Sequence, residues 1–351
     1  MNRRVPIAAP LALACLLGGC LSWHAGAPAE PPEEGAFATL RGTRVHFVDE
    51  GEPGQPAVVL VHGFASSVGV WAGLRPALRE AGYRVLALDL KGFGHTGRPA
   101  PEGERDYSPA EQARIVRALM DARGVHRAAV VAHSYGSSVA LRLALDAPER
   151  VSHIALYDAW VYADQLPTSF HWARAGGVGE LIFAAFYQER SEDKIANAFY
   201  DPEVIPQALV DTVEEQVSRP GTRAAALAAV RAMRYEAQEA RYGEVEAPTL
   251  LLWGREDSVT TLDFGERLYT ELPNAELKVY PRCGHFPMIE ARRPSTRDLL
   301  AFLAAHGRQP APASPTAAER APSLPPEGAP GAADGAVDAA DADAAAEEPD
   351  A

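Results

Sequence analysis

The sequence predicts an α/β fold with a mainly parallel β-sheet, on the basis of two observations. Short, continuous runs of apolar residues recur along the 351-residue chain, and segments with apolar residues at helical spacing separate them. Strands of a parallel sheet are covered by helices on both faces, so their sequences are continuously apolar rather than alternating. The predicted strands span residues 57–61, 83–90, 128–131, 154–157, 249–253 and 277–279.

Helices are predicted between these strands. Residues 71–80, 108–122 and 137–145 have helical spacing, and the second segment opens with Ser108 and a proline, a capping side chain followed by proline at the first helical position. One interval breaks the alternation, because residues 160–243 contain several helical stretches and no convincing strand. That interval is too long for a simple crossover, so we expect a helical cap inserted into a core formed by residues 37–159 and 244–307.

The N-terminus is expected to lie outside the globular core. Arg3 and Arg4 precede a short apolar run, residues 7–17, which is typical of a secretory signal and is too short to span a membrane. The run ends in "LGGC", whose last residue is Cys20, and it resembles the lipobox of bacterial lipoproteins. We therefore expect residues 1–19 to be a lipoprotein signal peptide; an ordinary cleaved signal and an uncleaved anchor are the alternatives.

The lipobox resemblance implies an exported protein that is lipid-anchored to a bacterial membrane through Cys20. Leu21 is not an aspartate, which by the same resemblance disfavours retention at the inner membrane and favours the outer membrane or the periplasmic face. Residues 20–36, rich in Ser, Ala, Pro and Glu, are predicted to be a tether. Cleavage before Cys20 would leave Cys283 as a free thiol and no intrachain disulfide.

The C-terminal residues 308–351 are predicted to be a disordered, acidic, Pro- and Ala-rich tail. They have almost no large apolar side chains with which to form a core. Residues 309–351 hold nine acidic residues and one basic residue, and the net charge of the whole chain is −14. Nucleic-acid binding requires a basic face, so nucleic acid is not an expected partner.

Ser134 is the candidate nucleophile. The strand at 128–131 leads through "AHSYG" into the next helix, and a sharp turn of this kind exposes a serine hydroxyl at a helix N-terminus. The usual motif is G-x-S-x-G; Ala132 replaces its first glycine and Gly136 keeps the second. Taken alone, this stretch also fits a serine that only caps a helix.

Two main-chain N–H groups are candidates for the oxyanion hole. In a serine hydrolase, one comes from the residue after the nucleophile and the other from an early strand-to-helix loop. Those residues are Tyr135 and Phe64, the latter in "AVVLVHGF". Gly63 allows the backbone to turn inward at that loop.

Five blocks together resemble the α/β-hydrolase superfamily, in particular its capped branch of esterases, C–C hydrolases and epoxide-hydrolase-like enzymes. They are "VLVHGF", "ALDLKGFGHTGRP", "VVAHSYGSS", "LLWGREDSV" and "RCGHFPMIE", in that order within residues 37–306. The resemblance implies an α/β-hydrolase fold with a helical cap. Epoxide hydrolases and haloalkane dehalogenases have an aspartate nucleophile, so Ser134 argues against both of those activities.

The family pattern assigns the general base to His285, just past the strand at 277–279. An imidazole titrates close to neutral pH, so it can accept the serine proton and return it. Asp257, after the strand at 249–253, is the candidate acid that orients the imidazole. Asp158 is the alternative acid, since some superfamily members place the acid there; the adjacent Glu256 is expected to point elsewhere.

The predicted function is a serine hydrolase, most simply a carboxylesterase, that cleaves an ester, thioester or C–C bond of a small, mainly apolar substrate through an acyl-enzyme. No metal or organic cofactor is expected, because the triad and the oxyanion hole supply the chemistry. Asp89, in the second block, is expected to be structural. The alternatives are a cofactor-free perhydrolase or haloperoxidase-like enzyme with the same triad, and a membrane-tethered binding protein without turnover. The oligomeric state is not predicted.

Overall fold

The protein has a central eight-stranded sheet with helices on both faces, and this confirms the predicted fold class. A computed structural model describes residue 32 and residues 34–103, 106–186 and 191–307. The strand order is β1-β2-β4-β3-β5-β6-β7-β8, and all pairs from β4 onward are parallel. The strands are β1 Ala36–Leu40, β2 Thr43–Glu50, β3 Ala57–Val61, β4 Arg84–Leu88, β5 Ala128–His133, β6 Val151–Tyr157, β7 Thr249–Gly254 and β8 Ala275–Tyr280.

The hairpin of β1 and β2 was not predicted from the sequence. These strands pair antiparallel with each other, and β2 pairs antiparallel with β4. Polar and charged residues interrupt the apolar residues of "TRVHFVDE", so β2 lacks the continuous apolar run that marks a strand buried on both faces. The hairpin begins at Ala36, one residue inside the predicted tether.

In the part of the chain that the structure describes, six α-helices pack against the sheet outside the interval between β6 and β7. Each occupies a connection between strands or follows the last strand, as a mainly parallel sheet requires. They are α1 Arg75–Glu80, α2 Pro109–Ala122, α3 Gly136–Asp146, α10 Leu262–Glu271, α11 Pro287–Glu290 and α12 Arg292–His306.

The interval between β6 and β7 contains the predicted cap, residues 160–243. Its α-helices are α4 Thr168–Ala173, α5 Val178–Phe186, α6 Ser191–Ala198, α7 Gln207–Ser218, α8 Thr222–Ala232 and α9 Glu236–Glu239. The chain leaves the helical conformation between α8 and α9, where Met233 has a non-helical ψ of 82°.

The two faces of the sheet explain why the central strands are continuously apolar. Successive side chains of a strand point to opposite faces. In β3, Val59 and Val61 belong to one buried cluster, while Val58 and Leu60 belong to the cluster on the other face. All four side chains are therefore buried.

The predicted signal peptide, Cys20, most of the predicted tether and the C-terminal tail lie outside the described residues. Among the helices that the structure describes, none is long and apolar enough to cross a membrane.

Candidate active site

The candidate site lies where four neighbouring parallel strands end. β3, β5, β6 and β7 are adjacent in the sheet, so their carboxyl ends meet at one edge, where ligands of open α/β sheets bind. The loop with Phe64 follows β3, Ser134 follows β5, Asp158 follows β6, and Asp257 follows β7. The fold thereby brings together residues that are far apart in sequence, and the loop after β8 adds His285.

Ser134 occupies a strained turn between β5 and α3. Its φ is +51°, in the left-handed region that residues other than glycine seldom adopt. The surrounding chain fixes this conformation: the N–H of Ser134 donates to the carbonyl of Tyr157 at 2.9 Å, and its carbonyl accepts from the N–H of Trp160 at 3.0 Å. Strain of this kind is concentrated at functional sites, where the surroundings hold it in place.

The early loop approaches the nucleophile closely, as an oxyanion hole requires. A Cβ on Gly63 would lie 3.0 Å from the Cβ of Ser134, so a side chain at position 63 would push the loop away. Within the described residues, the main-chain N–H groups of Phe64 and Tyr135 donate no main-chain hydrogen bond. These are the two groups that the sequence assigned to the oxyanion hole.

Asp257 and His285 form a buried hydrogen-bonded pair. Nδ1 of His285 lies 2.8 Å from Oδ2 of Asp257. The carboxylate also accepts from the N–H of Val259 at 2.7 Å, from the N–H of Thr260 at 3.1 Å and from the Thr260 hydroxyl at 2.6 Å. Burial acts to raise the pKa of Asp257, but its interactions with His285, Thr260 and Val259 outweigh burial and lower the pKa.

Asp158 is close to this pair but binds elsewhere. One carboxyl oxygen of Asp158, one of Asp257 and one ring nitrogen of His285 all lie within 4.8 Å of one another, and within the described residues this is the one such cluster of acidic, histidine and cysteine side chains. Oδ1 of Asp158 accepts from the N–H of Gly254 at 2.9 Å. The structure thus pairs Asp257, rather than Asp158, with the candidate base.

The side chains of His133 and Glu256 hydrogen-bond to the main chain of the loop that carries His285. Nε2 of His133 lies 2.8 Å from the carbonyl oxygen of His285. Burial, together with the neighbouring His285, holds the pKa of His133 well below its usual value, so His133 is a neutral donor. Glu256 points away from His285, and its carboxylate accepts from the N–H of Cys283 at 3.0 Å.

The cap also contacts this loop directly, which sequence reasoning missed. The N–H of His285 donates to the carbonyl of Ala198 at 2.7 Å. The carboxylate of Glu290 accepts from the N–H of Gly284 at 3.0 Å and from the N–H of Tyr200 at 2.7 Å. Ala198 and His285, like Tyr200 and Glu290, are about 90 positions apart along the chain, and no local pattern marks either pair.

Asp89 organises the loops behind the site. Its carboxylate accepts from the N–H groups of Val68 at 2.7 Å and His95 at 2.8 Å, and lies 2.7 Å from Nδ1 of His46. The other ring nitrogen of His46 lies 2.9 Å from the carbonyl oxygen of Glu34. Both nitrogens of His46 face acceptors, so the protonated form is favoured.

A cavity of about 580 Å³ connects the candidate residues to the cap. Ser134 and His285 both contribute to its wall, and the described lining contains no Lys, Arg, Asp or Glu. The remaining described lining residues are Gly63, Phe64, Ala65, Ser66, His133, Ser169, Phe170, Trp172, Ile182, Phe183, Ile195, Ala198, Leu209, Val213, Val217 and Phe286.

Comparison with known proteins agrees with this architecture. A family model described as "alpha/beta hydrolase fold" matches residues 56–292. The chain belongs to the α/β-hydrolase family. The resemblance seen in the five sequence blocks is therefore confirmed at the level of the family.

This α/β-hydrolase is similar in sequence to hydrolases of 2-hydroxy-6-oxo acids. It is 31% identical over 269 residues to a 2-hydroxy-6-oxononadienedioate/2-hydroxy-6-oxononatrienedioate hydrolase of Burkholderia vietnamiensis, covering 74% of this chain and 91% of that protein. It is 30% identical over 274 residues to a 2-hydroxy-6-oxo-6-phenylhexa-2,4-dienoate hydrolase of Burkholderia cepacia, covering 76% and 93%.

The chain is also similar to solved structures of such hydrolases. The 2-hydroxy-6-oxo-6-phenylhexa-2,4-dienoate hydrolase of Rhodococcus sp. strain RHA1 matches with a TM-score of 0.67 at 26% identity, covering 77% of this chain and 99% of that one. The protein is thus a hydrolase by family, and these relatives are named as hydrolases of 2-hydroxy-6-oxo acids. A carboxylesterase activity is not established by these likenesses.

Proposed function

We propose that the protein is a serine hydrolase that cleaves an ester bond of a small, mainly apolar substrate. The observation that carries the proposal is the convergence of three groups at one apolar cavity. Ser134 and His285 line the cavity, and Asp257 binds the far nitrogen of His285. A nucleophile, a general base and an orienting acid require this arrangement, in which the first two share one cavity and the acid binds the base.

The proposed reaction follows from these positions. The Oγ of Ser134 attacks the substrate carbonyl carbon while its proton passes to His285. The main-chain N–H groups of Phe64 and Tyr135 stabilise the oxyanion, and His285 then protonates the leaving alcohol. Water activated by His285 hydrolyses the resulting acyl-enzyme, which restores the Ser134 hydroxyl and releases the acid.

An uncharged acyl group fits the cavity better than a dicarboxylate does. A carboxylate placed in an apolar site without a cation or several donors is strongly disfavoured. The described part of the wall offers serine and histidine side chains but no Lys or Arg. This supports an ester over the dioic acids named for the Burkholderia vietnamiensis relative.

C–C bond hydrolysis is the second candidate, and the 31% identity to such a hydrolase favours it. A panel of p-nitrophenyl esters of increasing acyl length, run beside 2-hydroxy-6-oxo-6-phenylhexa-2,4-dienoate, separates the two. We expect ester turnover that depends on chain length and is lost by at least about 10⁴-fold in Ser134→Ala. Turnover of the dienoate with inert esters would favour the C–C activity.

The same Ser134→Ala variant tests whether the protein is an enzyme at all. An alkyl fluorophosphonate phosphonylates an activated serine, and it should label the wild type but not the variant. A folded wild type that resists labelling would instead favour the binding-protein alternative. A perhydrolase-like activity would retain the labelling and add peroxide-dependent halogenation or peracid formation in the presence of a carboxylic acid.

We propose also that the protein is exported and anchored through an acylated Cys20. The support is the sequence alone, in which Arg3 and Arg4, the apolar run and "LGGC" follow one another. In a bacterial host, the wild type should partition with membranes and carry the mass of a lipid. The Cys20→Ser variant should lose that mass, and equal membrane partitioning of both proteins would contradict the proposal.

A further inference from the structure

The segment after β6 connects the nucleophile to the acid. On one side, Tyr157 and Trp160 hold the main chain of Ser134 with the two hydrogen bonds described above. On the other side, the N–H of Asp158 donates to the carbonyl of Leu252 at 3.1 Å. The segment therefore lies between the two parts of the triad that the sheet brings together.

Asp158 holds both ends of the loop that carries Asp257. Its side chain accepts from the N–H of Gly254, the last residue of β7, at 2.9 Å. Its main-chain oxygen lies 3.2 Å from the hydroxyl of Thr260, which also contacts Asp257. Asp158 itself has a φ of +42°, a conformation that aspartate tolerates better than most residues and that the local hydrogen bonds maintain.

The two neighbouring carboxyl groups have very different surroundings. Asp257 receives four hydrogen bonds, from His285, from the N–H of Val259 and from the N–H and hydroxyl of Thr260. Asp158 is completely buried, and its carboxyl group accepts one hydrogen bond, from the N–H of Gly254. Two buried carboxyl groups this close do not both ionise, so the single negative charge resides on Asp257.

The other groups that face Asp158 do not change this assignment. They are the carboxyl groups of Asp257 and Glu290, the thiol of Cys283, the phenol of Tyr157 and the imidazole of His285. The one group among them that can become cationic, His285, is bound to Asp257. Burial first, and then the charge of Asp257, hold the pKa of Asp158 well above its ordinary value.

We propose that Asp158 is a positioning residue that fixes the Asp257 loop with an uncharged carboxyl group, so that no second negative charge disturbs the Asp257–His285 pair. This inference rests on the proposed serine hydrolase function. It assigns to Asp158 a role distinct from that of the alternative triad acid, because an alternative acid would have to be ionised and bound to His285.

Paired substitutions at position 158 test the role without a known substrate. Asn retains an uncharged acceptor for the N–H of Gly254, and Ala does not. The measured quantity is the rate at which an alkyl fluorophosphonate inactivates the enzyme. We expect Asp158→Asn to react within about threefold of the wild type, and Asp158→Ala to react about 10- to 100-fold more slowly because Asp257 is misplaced. Equal rates for Ala and wild type would overturn the proposal.

The pH dependence of the same rate tests the charge. Inactivation requires an unprotonated general base, so its rate falls at acid pH and the pH profile has an acid limb. If Asp158 were ionised in the wild type, Asp158→Asn would remove a nearby negative charge and shift that limb downward by about one pH unit or more. We expect the limbs of wild type and Asp158→Asn to coincide, and such a downward shift would overturn the proposal.

Infrared spectroscopy gives a readout that does not depend on activity or on the Ala variant folding. The wild type at neutral pH should show the C=O stretch of a protonated carboxylic acid, and Asp158→Asn should lose it. Asp121→Asn is the matched control, because Asp121 is 59% exposed and its replacement should leave the band unchanged. A wild type that shows the band but is not labelled by the fluorophosphonate would contradict the hydrolase function and leave the charge assignment standing. Absence of the band would overturn the assignment itself.

Discussion

Gly136 lies directly against the end of β3, so that a Cβ at position 136 would come within 2.5 Å of the carbonyl oxygen of Val61. No side chain is compatible with that distance, because the neighbouring atom belongs to a central strand. Ala132, by contrast, is a fully buried residue of β5 whose methyl group is accommodated opposite Val61. The second glycine of the nucleophile motif is therefore required here, and the first is not.

Substitution at these two positions should consequently have unequal effects. Gly136→Ala forces the turn away from β3 and is expected to destabilise the protein by about 1–3 kcal/mol and to abolish most fluorophosphonate labelling. Ala132→Gly should leave the labelling rate within severalfold. Urea unfolding and labelling of both variants provide the measurement. A loss of hundreds-fold in Ala132→Gly would show that the methyl group helps to set the oxyanion geometry.

Replacement of the acid should remove most of the activity without unfolding the protein. Asp257→Asn retains the shape but disturbs the orientation and tautomer of His285, and an effect of about 10⁴-fold on turnover is expected. Glu256→Gln is the matched control, since Glu256 binds the N–H of Cys283 rather than the imidazole. A variant Asp257→Asn with a tenth or more of wild-type turnover would favour Asp158 as the acid.

The buried pair of His46 and Asp89 should make stability depend on pH. Burial acts to lower the pKa of His46, but the hydrogen bond and charge of Asp89 and the bond to the Glu34 carbonyl outweigh it, so the pKa is raised. The stabilisation from a raised histidine pKa is complete below the unfolded value of about 6.5 and is lost as the pH rises through the folded value. Burial acts to raise the pKa of Asp89, but the interactions with His46 and His62 outweigh burial and lower the pKa.

The free energy of unfolding, measured by urea between about pH 6 and pH 9, should therefore fall more steeply in wild type than in His46→Gln. Asp89 contributes in the opposite direction. The stabilisation from its lowered pKa is lost only as the pH falls below the ordinary pKa of an aspartate. Parallel slopes for the two proteins would show that folding does not raise the pKa of His46.

Cys283 should be unreactive in the folded protein. The thiol is fully buried, and burial, followed by the neighbouring carboxyl groups, raises its pKa. Since the thiolate is the reactive form, a thiol reagent such as DTNB should modify Cys283 only after unfolding. Fast modification in native buffer would indicate that the loop carrying His285 opens readily.

The sequence was most informative where a single residue pattern determines a strand or a turn. Continuous apolar runs predicted the inner parallel strands β3 to β7, because burial on both faces leaves no room for polar residues. The turn around Ser134 and the loop with Phe64 could be located from the sequence because each contains a glycine at a fixed position. Glycine is needed there because the main chain passes very close to neighbouring atoms. The contact of Asp257 with His285 follows from adjacent strand ends.

The features that sequence reasoning missed depend on tertiary contacts. The strand β2 is partly polar, so it carries no continuous apolar run. The acceptor for the N–H of His285 is the carbonyl of Ala198, and any residue type supplies a carbonyl. Asp158 could be identified as an acid near the site, but its bond to Gly254 and the single hydrogen bond that it receives become apparent only when β6 and β7 are placed side by side.

The hydrogen bond from the N–H of His285 to Ala198 has a consequence for the position of the base. That bond, together with the stacked rings of Phe199 and Phe286 at 4.7 Å, fixes the end of α6 to the loop that bears the base. Lifting this corner of the cap would misalign the base. Trp172 lines the same cavity and is 62% exposed, so the cavity wall reaches the protein surface at this residue. The position of the base is thus coupled to the end of α6, so a change in that part of the helical insertion would also change the alignment of His285 with Asp257.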